Sequence, residues 1–218
     1  MKPARKSLTA VFNVLFTAYG PQHWWPGDTP FEIMVGAVLT QNTAWSNVEK
    51  ALANLVRHDR LSATSIIATR KDHLANWLRP SGYFNIKAER LKNFCRWYVE
   101  AGGFTALSQV DTHVLRDALL SVNGVGPETA DDILLYAFDR PVFVIDAYTR
   151  RLFSRLGTIA GDEAYEELRL AVEDDLGPDV ELYNEFHALI VRHAKMVCRA
   201  HPRCGDCQLR TCCPTGMA

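Results

Sequence analysis

The sequence lacks the features that would place it in a membrane or outside the cell. No stretch approaches the roughly 20 consecutive apolar residues that a membrane span requires. The first residues, Met1 to Lys6, are basic, but no long apolar run with a small-residue cleavage site follows, so a cytoplasmic protein without a leader is expected. Net charge is also missing: 24 Lys and Arg stand against 25 Asp and Glu, giving −1. A global attraction to polyanions is thereby excluded, and any affinity for nucleic acid must come from local charge and backbone amides. Cysteine is scarce until the C-terminus, where five of the six fall after Val197; the remote Cys95 reads as a small buried apolar residue. There is no internal repeat, no low-complexity segment and no sustained alternation of the kind that marks strands.

What is present is a helical rhythm. The 218 residues suffice for one large domain or two lobes, and 48% apolar against 22% charged residues predicts a packed interior. Thr29-Pro30-Phe31-Glu32 combines a capping residue, proline at the first helical position and Glu three places after the cap, which starts a helix. The next helix sets Val48, Ala51, Leu52, Leu55 and Val56 on one face. Further helices are predicted over 71–78, 86–100, 112–121, 128–138, 147–156, 164–174 and 180–197. Pro141 to Ile145 is apolar but too short and isolated to seed a sheet, so the expected class is all-α. Two basic groups, Lys87/Arg90/Lys92/Arg96 and Arg150/Arg151/Arg155, are candidates for phosphate contact. Each taken alone reads better as a solvated helix face.

Asn123-Gly124-Val125-Gly126-Pro127 joins two helices by a very short turn. Gly124 and Gly126 permit backbone angles and close approach that a side chain would obstruct, and Pro127 suits the first position of the second helix. A glycine hairpin opening onto a helix N-terminus offers amide donors and a positive dipole end to a phosphate; by itself it is equally an ordinary tight hairpin. Twenty residues beyond Gly126 stands Asp146, directly before a new helix that it is placed to cap.

From Leu120 to Arg151 the chain resembles the helix-hairpin-helix, Gly/Pro-rich loop and aspartate signature of the endonuclease III superfamily of DNA glycosylases. Asn123 departs from it, standing where proline is common. The resemblance implies that the amides of Gly124, Val125 and Gly126 grip the DNA backbone, with a monovalent cation bound at the hairpin, and that Asp146 is the catalytic carboxylate. Cleavage of an N-glycosidic bond builds positive charge on the sugar, and a carboxylate can stabilise that charge and orient or deprotonate the attacking water. Strand-cleaving members carry a lysine at the second residue after G-V-G, which forms a Schiff base. Here Glu128 occupies that position and no lysine lies between Lys92 and Lys195, so a monofunctional enzyme is expected.

Gly36 to Thr43 resembles the superfamily's element around a wedging glutamine, which implies that Gln41 fills the gap left by an extruded nucleotide and that Tyr83 faces the opposite strand. Helix capping for Gln41 and plain packing for Tyr83 are the alternatives. Trp24-Trp25-Pro26 and Trp45, with L-T-Q-N-T, R-P-S-G and G-V-G-P-E-T-A-D, resemble the 3-methyladenine DNA glycosylase branch. That resemblance makes Trp24, Trp25, Pro26 and Trp45, together with Glu128, the base pocket. An alkylated purine is cationic and stacks well on aromatic faces; core packing remains the alternative for the tryptophans.

Cys198, Cys204, Cys207 and Cys213 give C-x5-C-x2-C-x5-C, a spacing able to hold zinc or a [4Fe–4S] cluster. The endonuclease III pattern has one more residue in the first gap. Pro202 to Cys207, and His193 five residues before Cys198, otherwise resemble its cluster loop, which implies a [4Fe–4S] cluster with Cys213 as fourth ligand and Cys212 as bystander. Arg199, Arg203 and Arg210 lie close enough in sequence to reach phosphates from that loop.

The architecture so implied is two helical lobes with a DNA-binding cleft: a helical barrel over 28–138 containing the hairpin, and a discontinuous lobe of 1–27 and 139–218 carrying Asp146 and the cluster. The expected function is base excision of a flipped, alkylated purine from double-stranded DNA by a monomer associated with the nucleoid. A mismatch thymine or uracil glycosylase, and a non-catalytic DNA-binding iron–sulfur protein, are the competing readings.

Overall fold

A computed structural model describes residues 7–24 and 27–217. Among these, regular structure is helical throughout: α1 (Leu8–Tyr19), α2 (Pro30–Thr40), α3 (Trp45–Arg57), α4 (Ala63–Ala68), α5 (Lys71–Trp77), α6 (Phe84–Glu100), α7 (Gly103–Leu107), α8 (Thr112–Leu120), α9 (Pro127–Phe138), α10 (Ala147–Leu156), α11 (Tyr165–Leu176), α12 (Val180–Met196) and α13 (Pro214–Met217). Short 3-10 turns occupy Arg79–Ser81, Cys204–Asp206 and Arg210–Cys212. The fold is all-α, as the hydrophobic rhythm predicted.

Four helices escaped the sequence reading. α4, α7 and α13 are six residues or shorter and show no full period. α1 is longer, with Leu8, Val11 and Leu15 buried, but Ser7 makes no side-chain cap and its first turn holds no acid, so its start was unmarked. Helix ends elsewhere differ from expectation by up to two residues, the usual fraying of boundaries.

The chain folds as two compact units, Trp25–Arg140 and the pair of segments Met1–Trp24 and Pro141–Ala218. In Trp25–Arg140, α2 is buried continuously from Ile33 to Leu39 and packs against α9, α3 and α6. Its start is fixed by a variant of the capping box: Thr29 Oγ1 accepts from Glu32 N at 3.2 Å, while Glu32 Oε2 reaches past the cap to accept from Asp28 N at 3.2 Å. α8 and α9 are tied by a buried bidentate pair, Arg116 Nε to Asp131 Oδ1 at 2.6 Å and Nη2 to Oδ2 at 3.1 Å. Removing one partner would strand a buried charge, at a cost of about 3–5 kcal/mol.

In the discontinuous unit, α12 lies against α1 and α10 and buries Tyr183, Phe186, His187, Ile190 and Ala194. Residues 142–145 are buried in this unit without regular secondary structure. Phe143 meets Tyr183 edge-on at 5.4 Å, and its amide donates to Glu173 Oε1 at 2.9 Å. A side-chain carboxylate thus replaces a neighbouring strand as partner for buried backbone, which is why this apolar run needs no sheet.

Candidate active site and cysteine pocket

The hairpin turn is built around Gly124. Its φ of +100° is open to glycine, and a Cβ there would overlap the Arg90 side chain. Val125 is buried and pins the turn, and its amide donates to Val122 O at 2.9 Å. Gly126 differs: its φ is −98° and nothing lies within 4 Å of where a Cβ would sit. Gly126 is therefore not required by the folded backbone, in contrast to the expectation that both glycines serve conformation. Glu128 is exposed in the first turn of α9.

Gln41 ends α2 and reaches this turn. Its Nε2 donates to Gly124 O at 2.9 Å and to Thr129 Oγ1 at 3.0 Å, while its Oε1 accepts from Arg90 Nη1. Helix capping is not its role here; the side chain is docked on the hairpin. Tyr83 stands at the start of α6 with φ +43°, a left-handed conformation costly for a bulky residue, and its side chain is 69% exposed. Simple packing does not describe it.

Between these segments lies a residue whose role the sequence hid. Lys87 is 1% exposed, and its ammonium donates to Leu39 O at 2.8 Å, Thr43 Oγ1 at 2.7 Å and Ser81 O at 2.6 Å. All three donors are used. Burial, reinforced by the nearby Arg90 charge, brings its pKa down to about 8. Both basic groups proposed from sequence consist largely of such internal braces. Lys92 donates to Ile67 O at 2.8 Å, Arg150 to Glu163 O at 2.9 Å and Arg151 to Cys198 O at 2.9 Å, while Arg155 binds Cys198 O, Arg199 O and Ala200 O. Lys87, Lys92, Arg150, Arg151 and Arg155 sit where helix ends and turns offer carbonyls, whereas Arg90 binds the Gln41 side chain and Arg96 stays exposed on α6 beside Asn93.

Trp45 begins α3 and packs edge-on to Gly36, where a Cβ would come within 2.9 Å of the indole. It lines a pocket of about 450 Å³ with Gly27, Asp28, Glu32, Leu52 and Val56. Trp24 is half-buried, and Lys195 Nζ lies 5.9 Å from its ring centre and 5.7 Å from that of Tyr148. The candidates Trp25 and Pro26 lie outside the described residues.

Asp146 caps α10, Oδ1 accepting from Thr149 N at 2.7 Å. Its other oxygen faces His187 Nε2 at 3.6 Å; the Asp146 and His187 side chains are 14% and 7% exposed. Burial opposes ionisation of the carboxyl, but the His187 imidazole beside it, at 3.6 Å too far for a hydrogen bond to Oδ2, and the Thr149 amide outweigh it, holding Asp146 below the ordinary carboxylate value. His187 was absent from the sequence reading. Its signal was there, a histidine in phase with Tyr183, Phe186 and Ile190 on an otherwise apolar face, but a polar residue in such a place does not name its partner.

Cys198, Cys204, Cys207 and Cys213 line one small pocket with His193 and Arg155; Cys212 turns away, its Sγ 3.1 Å from Leu209 O. Arg155 Nη1 lies 3.2 Å from Cys198 Sγ, and His193 Nε2 lies 3.6 Å from Cys207 Sγ. The Cys207 thiol is pushed up by burial and further by Cys198, Cys213 and Cys204, yet among the described residues no three ligating side chains stand close enough together to hold a metal ion.

Residues 35–178 match the family described as HhH-GPD superfamily base excision DNA repair protein. MJ1434 of Methanocaldococcus jannaschii, whose name marks it as a candidate DNA repair glycosylase, is 48% identical over 206 residues, covering 93% of this chain and 94% of its own. The Helicobacter pylori 3-methyladenine DNA glycosylase MagIII, solved with 1,N6-ethenoadenine, superposes with TM-score 0.73 at 31% identity over 85% of this chain and 96% of its own. An endonuclease III solved in a non-covalent DNA complex has the same fold, with TM-score 0.83 at 22% identity over 96% and 95% of the two chains. The chain belongs to the HhH-GPD superfamily of base excision DNA repair proteins and is a DNA glycosylase of that superfamily.

Proposed function

We propose that the protein is a monofunctional glycosylase that removes an alkylated purine such as 3-methyladenine from double-stranded DNA. The observation that carries this reading is a buried carboxylate held ionised at a helix start, on a chain whose hairpin bears Glu128 in place of an imine-forming lysine. As the N-glycosidic bond breaks, its electron pair leaves with the base and the sugar becomes cationic. Asp146 stabilises that cation and takes a proton from the water that adds to the anomeric carbon. An N-alkylated purine is already positively charged and departs readily, so the site needs no strong general acid.

The remaining parts support substrate handling. The open side of Gly126 and the start of α9 leave room for a phosphate to approach amide donors. Tyr83, exposed and held in a strained conformation, suits insertion beside an extruded nucleotide, whose flipping costs a few kcal/mol of stacking. Gln41 serves the same purpose once released from Gly124. Trp45 and Trp24 offer aromatic faces for an electron-poor base. Such a partner places the enzyme with the nucleoid.

The cysteine pocket fits an iron–sulfur cluster by its donor set, four cysteines lining one small cavity. Cys198, Cys204, Cys207 and Cys213 would hold it. A [4Fe–4S] cluster there supplies cross-linking energy to the fold, since metal binding free energy is folding free energy. No part of base removal passes through it.

The test is base release from duplexes carrying 3-methyladenine, 7-methylguanine, uracil or a G·T mismatch. Asp146→Asn is expected to slow release by about 10²- to 10⁴-fold, and borohydride to trap no covalent DNA adduct. Preference for uracil or G·T, or a lysine-linked adduct, would overturn the proposal.

A further inference from the structure

We infer that His187 is a positioning residue for Asp146, its ring set against Oδ2 of the carboxylate from α12 at 3.6 Å while the Thr149 amide donates to Oδ1 from α10. The inference rests on the catalytic reading of Asp146 and adds a residue to it. A helix cap alone needs one oxygen, which Ser, Thr or Asn would supply without charge. At Asp146 the second oxygen is also engaged, by a side chain from a different helix.

The setting of His187 makes the pairing informative. It lies on the buried face of α12 between Tyr183, Phe186 and Ile190, with the Phe143 ring set edge-on at 6.5 Å. Leucine would fill such a place more cheaply, because an imidazole taken out of water loses hydration that only a polar partner restores. Asp146 Oδ2 is the carboxylate oxygen that its Nε2 faces.

Other ionisable groups on the elements packed here are directed elsewhere. From α11, the Tyr165 hydroxyl accepts from Ile145 N at 3.3 Å, and Glu173 binds Arg169 at 2.7 Å and the Phe143 amide. From α10, Arg150 reaches Glu163 O. From α12, Glu185 accepts from Gln22 N at 2.7 Å and Arg192 donates to Gln22 Oε1 at 2.9 Å. From α1, Tyr19 bonds His193 at 2.8 Å. Among the described residues, His187 is recorded against Oδ2.

Two consequences follow for the reaction. With the Thr149 amide bound to one oxygen and the His187 ring set against the other, rotation about the Cβ–Cγ bond is opposed, so the charge keeps one direction as the sugar becomes cationic. The imidazole also favours the ionised carboxyl, which works only in that form, so loss of His187 makes Asp146 easier to protonate and moves the acid limb of activity to higher pH.

The experiment compares single-turnover base release against pH for wild type, His187→Gln and His187→Phe, with Asp146→Asn alongside and lesion-DNA affinity measured for each. His187→Phe is expected to lose about tenfold in rate at neutral pH with affinity unchanged, the scale of a carboxylate that has lost one of its two orienting contacts. His187→Gln keeps a donor without charge, so the neutral-pH rate should recover in part while the acid limb stays displaced. An acid limb in the same place for wild type and His187→Gln overturns the inference, whether or not His187→Phe folds. If Asp146→Asn is inactive and the limb has not moved, the inference alone fails; if Asp146→Asn releases base like wild type, the catalytic reading fails as well.

Discussion

Lys87 shows how a single residue can carry opposite meanings at different levels of description. In sequence it belongs to a basic group; in the fold it is an internal tie that fastens the end of α2 to the 79–81 turn and so sets the bases of Gln41 and Tyr83. Replacing it with methionine keeps most of the volume but takes the donor from Leu39 O and leaves Ser81 O and Thr43 Oγ1 with only their bond to each other. A loss of about 1–3 kcal/mol in urea unfolding at neutral pH is expected. The pH dependence has a definite sign. The folded pKa is about 8 against 10.5 for a free lysine, so between those values the unfolded chain binds more protons than the folded one. Wild type should therefore gain stability relative to Lys87→Met as pH rises through that window, and a difference that shrinks there would contradict the burial argument.

At the scale of elements, the two hairpin glycines make separable demands. Gly124→Ala forces a side chain into a left-handed backbone against Arg90 and should cost about 2 kcal/mol of stability, read as a lower melting temperature. Gly126→Ala meets no neighbour and needs no unusual φ, so its melting temperature should match wild type. If the amides of the turn bind a phosphate, the same substitution should still weaken DNA affinity about tenfold, or ~1.4 kcal/mol. Unchanged affinity would remove the hairpin from the DNA contact. α12 works differently: one apolar face carries His187 in midcourse and His193 near its end, so a single packed helix supports both the carboxylate and the cysteine pocket.

On the scale of the whole molecule, the discontinuous unit brings the chain's two ends together. Leu8 N donates to Asp175 Oδ2 at 2.8 Å, Gln22 N to Glu185 Oε1, and Tyr19 reaches His193 beside the cysteines. Closing so long a loop is entropically costly, though the cost grows slowly with length; the cysteine pocket sits where a metal staple would offset it. Cys213→Ser is expected to lose bound iron and sulfide and to lower the melting temperature, whereas Cys212→Ser should retain both. Equal iron content in the two variants would reassign the ligand set. Zinc in anaerobically purified protein, without visible sulfur-to-iron absorption, would replace the cluster by a zinc site.

The sequence alone determined the helical class, most helix boundaries, the short glycine hairpin and the position of Asp146 before a helix. These depend on neighbours within a few residues: hydrophobic period, caps and turn chemistry act locally, and a linear string records them fully. Tertiary structure alone decided that Arg150, Arg151 and Arg155 brace carbonyls rather than face solvent, and that His187 meets Asp146 across 40 intervening positions. Partners so distant in the chain are chosen by which faces pack together, and burial then fixes what each charge must do. A periodic pattern shows that a face is buried, but not what lies opposite it.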